Sequence, residues 1–309
     1  MNDLSSGTGE IVVFGSLNAD LTVRVQRFPE PGETLSGSEL VTAPGGKSSN
    51  QAAAAAVLGS SVRLVGAVGA DSHGSFLLEQ AGEAGVDTSG VSQERDHATG
   101  SAMIVVDAAG ENTIIVSPGA NGRHTAESVR ASDIGEADVL CLCLEVPLEA
   151  VEAAVEQGRS VGARVVLNLS PYAEVPDAVL RGTDVLLVNE REAELVTGDS
   201  QDGDWSSTLG RLAELGVEHA VVTLGADGAV VLDATAAEPD RVVTVDSPKV
   251  EAVDTTGCGD AFTGALAHAL ASGHSLVEAC EVAAQVGALA ATREGAQSSY
   301  GAFAHLARA

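Results

Sequence analysis

The chain has 309 residues, 45% of them hydrophobic and 19% charged, with 35 glycines, so it can bury a sizeable core and supply many tight turns. That excludes a stapled mini-protein and a disordered tract, and it favours one large α/β domain with room for a small appendage. Sixteen Lys and Arg stand against 44 Asp and Glu, a net charge of −28 that repels nucleic acid and anionic membranes. An anionic substrate must therefore be met locally, by backbone N–H groups, a rare basic side chain or a bound cation. The only lysines are Lys47 and Lys249. Cys141, Cys143, Cys258 and Cys280 lack zinc-type spacing and suit a reducing cytosol. The opening MNDLSSGTGE has no leader pattern, and no window approaches the roughly 18 apolar residues of a membrane span. A soluble cytoplasmic protein is expected.

Short apolar runs at Ile11–Phe14, Val62–Val68, Asp138–Leu144, Arg164–Leu169, Asp184–Val188 and Ala220–Leu224 alternate with helical stretches. This predicts repeated βα units around a mainly parallel sheet covered on both faces. Two regions break the rhythm. Leu21–Phe28 alternates polar and apolar residues, PEPGE turns, and Leu35–Val41 continues; Gly100–Val106 and Asn112–Val116 flank a DAAGE turn. These half-exposed strands, within 21–43 and 99–117, predict a small sheet projecting as a lid. Their exposed apolar faces predict a homodimer.

Several stations could carry chemistry. Asn18 and Asp20, two apart after the first strand, share a side if extended geometry persists. Pro44-Gly45-Gly46-Lys47-Ser48-Ser49-Asn50 opens a helix predicted over Gln51–Leu58; Val41 stands where a P-loop needs its first Gly, so this is no Walker A. Two glycines with Lys and Asn suit a polyhydroxylated ligand, or a plain turn and cap. Glu145 is a lone acid after an apolar strand, whose Cys141 and Cys143 read as core. Asn189 and Glu192, three apart at a helix start, could hold the water shell of Mg²⁺ or simply be solvated. Thr223 to Gly228 is a strand-end glycine turn. In Asp254-Thr255-Thr256-Gly257-Cys258-Gly259-Asp260, convergent amides and a helix start form an anion hole beside a carboxylate, with a helix cap as the bland alternative. No dinucleotide GxGxxG occupies the first βα turn, which disfavours a NAD-dependent oxidoreductase.

The ordered set GSLNAD, PGET, PGGKSSNQAAAA, LEVP, NEREAELVTG, TLGADG, DTTGCGDAFTGAL and TREGAQSS resembles the PfkB carbohydrate kinases along nearly the whole chain, and within them the kinases of ribose. The resemblance implies a Rossmann-like three-layer fold with a small β-sheet lid that can form a dimer interface. It implies ATP-dependent phosphorylation of the 5-hydroxyl of D-ribose, with deoxyribose, fructose or a nucleoside as alternative acceptors and a non-catalytic sugar-binding protein as the contrasting class. By the same resemblance Asp260 is the catalytic base, and Gly257, Cys258 and Gly259 are the anion hole. Asn18, Asp20, Gly45, Gly46, Lys47, Asn50 and Glu145 hold the sugar together with Asp260. Asn189, Thr223, Gly225, Gly228 and Gly259 meet the nucleotide, and Asn189 with Glu192 serves its Mg²⁺. Asp254, Thr256, Ala290, Arg293, Gly295 and Ser299 hold an activating K⁺ or another monovalent cation. The chain has GGKSSN where the family usually has GGKGAN, and Cys258 where Ala is frequent. Ala283–Val286, where an adenine contact is sought, yield no assignment.

Overall fold

The computed structural model describes residues 9–132, 134, 135, 137–199 and 204–308; residues 1–8, on which the absence of a leader was read, lie outside them. In chain order the first half runs β1 (Glu10–Gly15), β2 (Asn18–Arg24), β3 (Val41–Gly45), α1 (Lys47–Val57), β4 (Ser61–Gly69), α2 (Ser72–Glu83), β5 (Asp87–Glu94), β6 (Gly100–Val106), β7 (Asn112–Ser117) and α3 (Ala126–Ala131). There follow β8 (Val139–Leu142), α4 (Leu148–Val161), β9 (Arg164–Asn168), α5 (Asp177–Arg181), β10 (Val185–Asn189), α6 (Glu190–Thr197), α7 (Trp205–Glu214) and β11 (His219–Thr223). The chain ends with β12 (Ala229–Asp233), β13 (Val242–Val245), α8 (Cys258–Ala271) and α9 (Leu276–Ala290), then short 3₁₀ turns.

Nine strands form the main sheet in the order β13-β12-β11-β10-β9-β8-β1-β4-β5; the pairings from β11 to β5 are parallel, and β12 and β13 are antiparallel. Alternate residues of one strand serve two cores. Ile11 and Val13 pack with α1, α2, α8 and α9, whereas Val12 and Phe14 pack with α3 to α7 on the other face. That is the three-layer α/β arrangement the continuous apolar runs implied, and Cys141, fully buried, is a core residue of β8.

A second sheet, β3-β2-β6-β7, stands apart. The DAAGE turn joins β6 and β7 as expected, and the bounds of the other pair change. Leu35 to Leu40 is coil, and the strand expected there begins at Val41 and runs to Gly45. The strand expected over Leu21–Phe28 runs instead from Asn18 to Arg24. Its register pairs Asn18 with Gly45 and Thr22 with Val41, so the pairing uses the residues that must sit side by side at the cleft. Asn18 and Asp20 thus belong to the small sheet and not to the end of β1. β12, an apolar strand inside the sheet, and the edge strands β5 and β13 were not anticipated.

The helix expected over Gln51–Leu58 begins earlier, at Lys47, directly after Gly46. Gly46 has φ +89°, and a Cβ there would lie 2.8 Å from Asn18 N, so only glycine turns the chain from β3 into α1. The alanine run of α1 then lies against α8, where Gly264 allows backbone contact: a Cβ on it would meet Gln51 O at 2.5 Å and Ala54 Cβ at 2.7 Å. Gly264→Val should therefore cost about 1–3 kcal/mol of stability through overpacking, measured by urea unfolding. An unchanged unfolding free energy would show that the two helices part freely.

Candidate active site

The carboxyl ends of the central strands, the start of α1 and the start of α8 converge beneath the small sheet. Asp260, in the first turn of α8, is 6% exposed. Its Oδ2 accepts from Asn50 Nδ2 at 2.9 Å and its Oδ1 from Gln51 Nε2 at 3.3 Å. Burial raises the Asp260 carboxyl above the usual range, while the Lys47 charge and the two amide hydrogen bonds oppose that rise.

Lys47 is the cation of this cluster. Burial alone would lower its pKa, yet the charges of Asp260 and Glu145 more than reverse that, so the ammonium form is held firmly. Asp20 has the opposite fate: burial first, then Glu145 and Asp260, push its carboxyl up to about 7. Gly45 lies diagonally across from Asp20, and any Cβ on it would run into that carboxylate. Glu145 is tied down by Ser16 Oγ at 2.6 Å and by the backbone N–H of Lys47 at 3.0 Å, both donating to Oε2. Asn18 Oδ1 accepts from Asn121 Nδ2 at 2.8 Å, and Asn121 also brackets the Leu17 amide and carbonyl. Asn121 was missed in the sequence, where one Asn in a short GANGR segment carries no spacing signal. A cavity of about 340 Å³ opens between Asn18, Val116, Asn121 and Glu145.

The serines of GGKSSN turn away from this cavity. Ser48 Oγ reaches the Phe14 carbonyl at 3.3 Å and lies 3.2 Å from Cys143 Sγ, and Ser49 Oγ accepts from Gln297.

On the far side of Asp260 a second cleft, also about 340 Å³, is lined by Thr223, Gly225, Gly228, Cys258 and Gly259. It gains an apolar wall that the sequence reading did not assign: Val250 and Ala252 from one side, Ala284, Gly287 and Ala288 of α9 from the other. Small residues at i, i+3 and i+4 on one helix face were the available signal. At the α8 start, Gly257 takes a left-handed φ of +74°. The Cys258 amide, expected in the anion hole, already donates to Thr255 O at 3.2 Å. The amides of Gly257, Gly259 and Asp260 remain at the helix terminus. Burial and the charges of Asp254 and Asp260 push the Cys258 thiol up to about 11, which favours the thiol over the thiolate.

Asn189 and Glu192 lie at the start of α6 as a reciprocal capping box: Asn189 Oδ1 accepts from Glu192 N at 2.8 Å, and Glu192 Oε2 from Asn189 N at 2.9 Å. One oxygen of the nearly buried Glu192 is left over, and its charge acts on Lys47. Asp254 joins two loops. Its Oδ1 accepts from Thr256 N and Oγ1, and its Oδ2 from Gly295 N at 2.8 Å. These bonds outweigh burial and hold its carboxyl below the usual range. Ala290 accepts from the Arg293 amide, and buried Ser299 donates to Ala296 O at 2.7 Å. Among the described residues no group of three or more His, Cys, Asp or Glu could alone hold a metal ion.

A surface groove of about 550 Å³ lies at the amino ends of β8 to β11, and its Arg159 and Arg181 sit in the last turns of α4 and α5 with Asp184 and Asp177 as ion-pair partners. That accounts for them as helix-terminus charges.

Residues 8–301 match the model of the pfkB family carbohydrate kinases. The chain is 36% identical over 295 residues to the ribokinase of Haemophilus influenzae, with 94% of each chain covered. It is 34% identical to the deoxyribokinase of Salmonella typhi, covering 94% of this chain and 95% of that one. The structure of Arabidopsis thaliana ribokinase complexed with ribose and ATP superposes with a TM-score of 0.87 at 30% identity, covering 98% and 99% of the two chains.

Proposed function

The chain belongs to the PfkB family of carbohydrate kinases, and on that premise we propose that it transfers the γ-phosphoryl group of ATP to the 5-hydroxyl of D-ribose. The observation that carries this reading is the position of Asp260: a buried carboxylate in the first turn of α8, coupled by charge to Lys47, Glu145 and Asp20, next in sequence to Gly259 of the apolar cleft, while Glu145 and Asn18 line the other cavity. A sugar in the Asn18–Glu145 cavity and a nucleotide in the apolar cleft meet there.

Ribose hydroxyls are donors and acceptors, which suits a pocket of carboxylates, amides and one ammonium. Asn18, Asp20, Asn50 and Glu145 take hydroxyls, the backbone of Gly45 and Gly46 lets the ring approach, and Lys47 offsets the acids. Asp260 accepts the proton of the attacking hydroxyl as the oxygen–phosphorus bond forms and the bond to the ADP oxygen breaks. Lys47 and the amides of Gly257, Gly259 and Asp260 face the transferring charge. Thr223, Gly225 and Gly228 meet the nucleotide, with adenine between the small residues of α9 and the Val250–Ala252 segment. Mg²⁺ with ATP neutralises phosphate charge; a hard ion that keeps most of its waters suits the spare Glu192 oxygen beside Asn189.

The small sheet serves as a lid. By register Asp20, Ala102 and Val116 share its inner face, and Leu21, Met103 and Ile115 its outer one. Met103 is 48% exposed and Ile115 59%, an apolar face that suits a second copy. Light scattering at micromolar concentration should give a dimer, and Ile115→Asp a monomer; a monomeric parent protein removes the dimer.

Asp260→Asn keeps the shape and removes the base. Turnover should fall roughly 10²- to 10⁴-fold, while ribose binding by calorimetry stays within about tenfold. Near-normal turnover excludes the assignment. In the same coupled assay, preference for 2-deoxyribose over ribose would move the acceptor to the alternative raised by the Salmonella relative.

The Asp254–Gly295 contact brings together the loops expected to hold a monovalent cation, and such an ion fits as an ordering element for the start of α8. K⁺ titrated at constant ionic strength should activate selectively, and Asp254→Ala should abolish the response. Equal activation by all monovalent salts would leave only charge screening.

A further inference from the structure

Gln297 opens the 3₁₀ turn Gln297–Ala302 near the C-terminus, and its Nε2 donates to Ser49 Oγ at 3.1 Å and to Asn50 Oδ1 at 3.0 Å. An amide has one carbonyl oxygen and one NH₂, so a side chain whose oxygen is already engaged presents its NH₂ to the next neighbour. Asn50 does so: its Nδ2 donates to Asp260 Oδ2 at 2.9 Å. Ser49 is 2% exposed and Asn50 6%, so water does not compete freely for these groups.

We propose that Gln297 is a positioning residue for phosphoryl transfer, acting through Asn50 on Asp260; the proposal rests on the reading of Asp260 as base. With its carbonyl engaged by Gln297, Asn50 acts toward Asp260 as a donor only. A donor-only neighbour favours the carboxylate over the carboxylic acid, because the acid needs an acceptor for its proton. Released from Gln297, Asn50 can turn its amide over and accept that proton, which stabilises the form of Asp260 that cannot act as base. Gln51 shows what an unfixed amide looks like in the same place. It is fully buried, its bond to Asp260 is longer at 3.3 Å, and its Oε1 has no partner. Orientation of the base therefore passes through Asn50, and Gln297, which fixes Asn50, lies 247 positions from it in the chain.

Other charged and titratable groups face Asp260: Lys47 from α1, Asp20 from the lid, Glu145 from the loop after β8, and Cys258 and Tyr300 at the base of α8. Gln297 bonds to Ser49 and Asn50 and not to these groups, and of them Tyr300 alone shares its 3₁₀ turn, so a shift of the acid limb, where a phenol does not titrate, reports on the Asn50–Asp260 pair.

The test is Gln297→Met in the full chain, close to isosteric and without a donor. With MgATP and ribose, kcat should fall about 5- to 100-fold, the range of one unsatisfied buried hydrogen-bonding group. KM for ATP should stay within about twofold, and the acid limb of kcat/KM should move to higher pH. Placed in the Asp260→Asn background, the same substitution should cost less than about twofold, because the group it positions is gone. Gln297→Glu is the second variant: its carboxylate takes the Asn50 NH₂ and turns the Asn50 oxygen toward Asp260, so its loss should equal or exceed that of the Met variant. Thermal unfolding midpoints verify that each variant is folded. A parental pH profile and kcat in both folded variants, or the same fold loss with and without Asp260, overturns the proposal. Failure of the underlying base assignment shows separately, as near-normal turnover by Asp260→Asn alone.

Discussion

One ammonium group, that of Lys47, balances the acids of the cleft. In a chain of net charge −28 the start of α1 carries this lysine into a cluster with Asp20, Glu145 and Asp260. Three carboxylates and one cation leave the sugar side of the cleft acidic, and Asp20 is pushed up to about 7, by burial first and then by the charges of Glu145 and Asp260. Hydroxyl groups relieve it by donating to carboxylates, which is what a polyol offers and an anion does not. On the proposed reading the phosphoryl end of the reaction needs the opposite field, and two local groups are offered to meet it. Lys47 reaches from one side, and the amides at the start of α8 stand on the other. The global charge thus opposes the phosphates, and a few atoms at the meeting point of two helices overcome it.

Those atoms depend on one close crossing. Gly46 turns the chain into α1 so that Lys47, Asn50 and Gln51 follow within a turn and a half, and Gly264 lets α8 approach α1 closely enough for Asp260 to accept from both amides. The third participant is the C-terminal loop, where Asp254 holds Gly295, Tyr300 donates to the Gly257 carbonyl at 3.2 Å, and Gln297 holds Asn50. The loop, the start of α8 and Asp260 are therefore joined by hydrogen bonds, through Asn50 in the case of Asp260.

Much of this was legible in the residues. The apolar runs placed β1, β4, β8, β9, β10 and β11, because a strand buried on both faces has to be apolar throughout. Gly46 and Gly257 marked the two helix starts, because positive φ and close backbone approach exclude other residues there. Less legible was the small sheet. Leu35–Val41 has strand-like composition, yet the pairing partner of β2 is Val41–Gly45, since register is decided by which neighbour completes the cleft wall. Asn121, Gln297 and the α9 wall at Ala284, Gly287 and Ala288 were not assigned. An amide or an alanine acquires a role only from what it faces.

By itself the sequence determined the layer architecture, the kinase family and the identity of the acids, lysine and glycines of the cleft, because periodicity, positive φ and motif order are local properties of a chain. The tertiary structure alone decided which of them act together. Asn50 and Asp260 are separated by 210 residues and meet at 2.9 Å, Asn18 belongs to the lid and not to β1, and the Asn189–Glu192 pair caps its own helix before it can serve any ion. Contacts of that range are set by strand register and helix crossing, which arise from packing the whole core and leave no trace in any short window of residues.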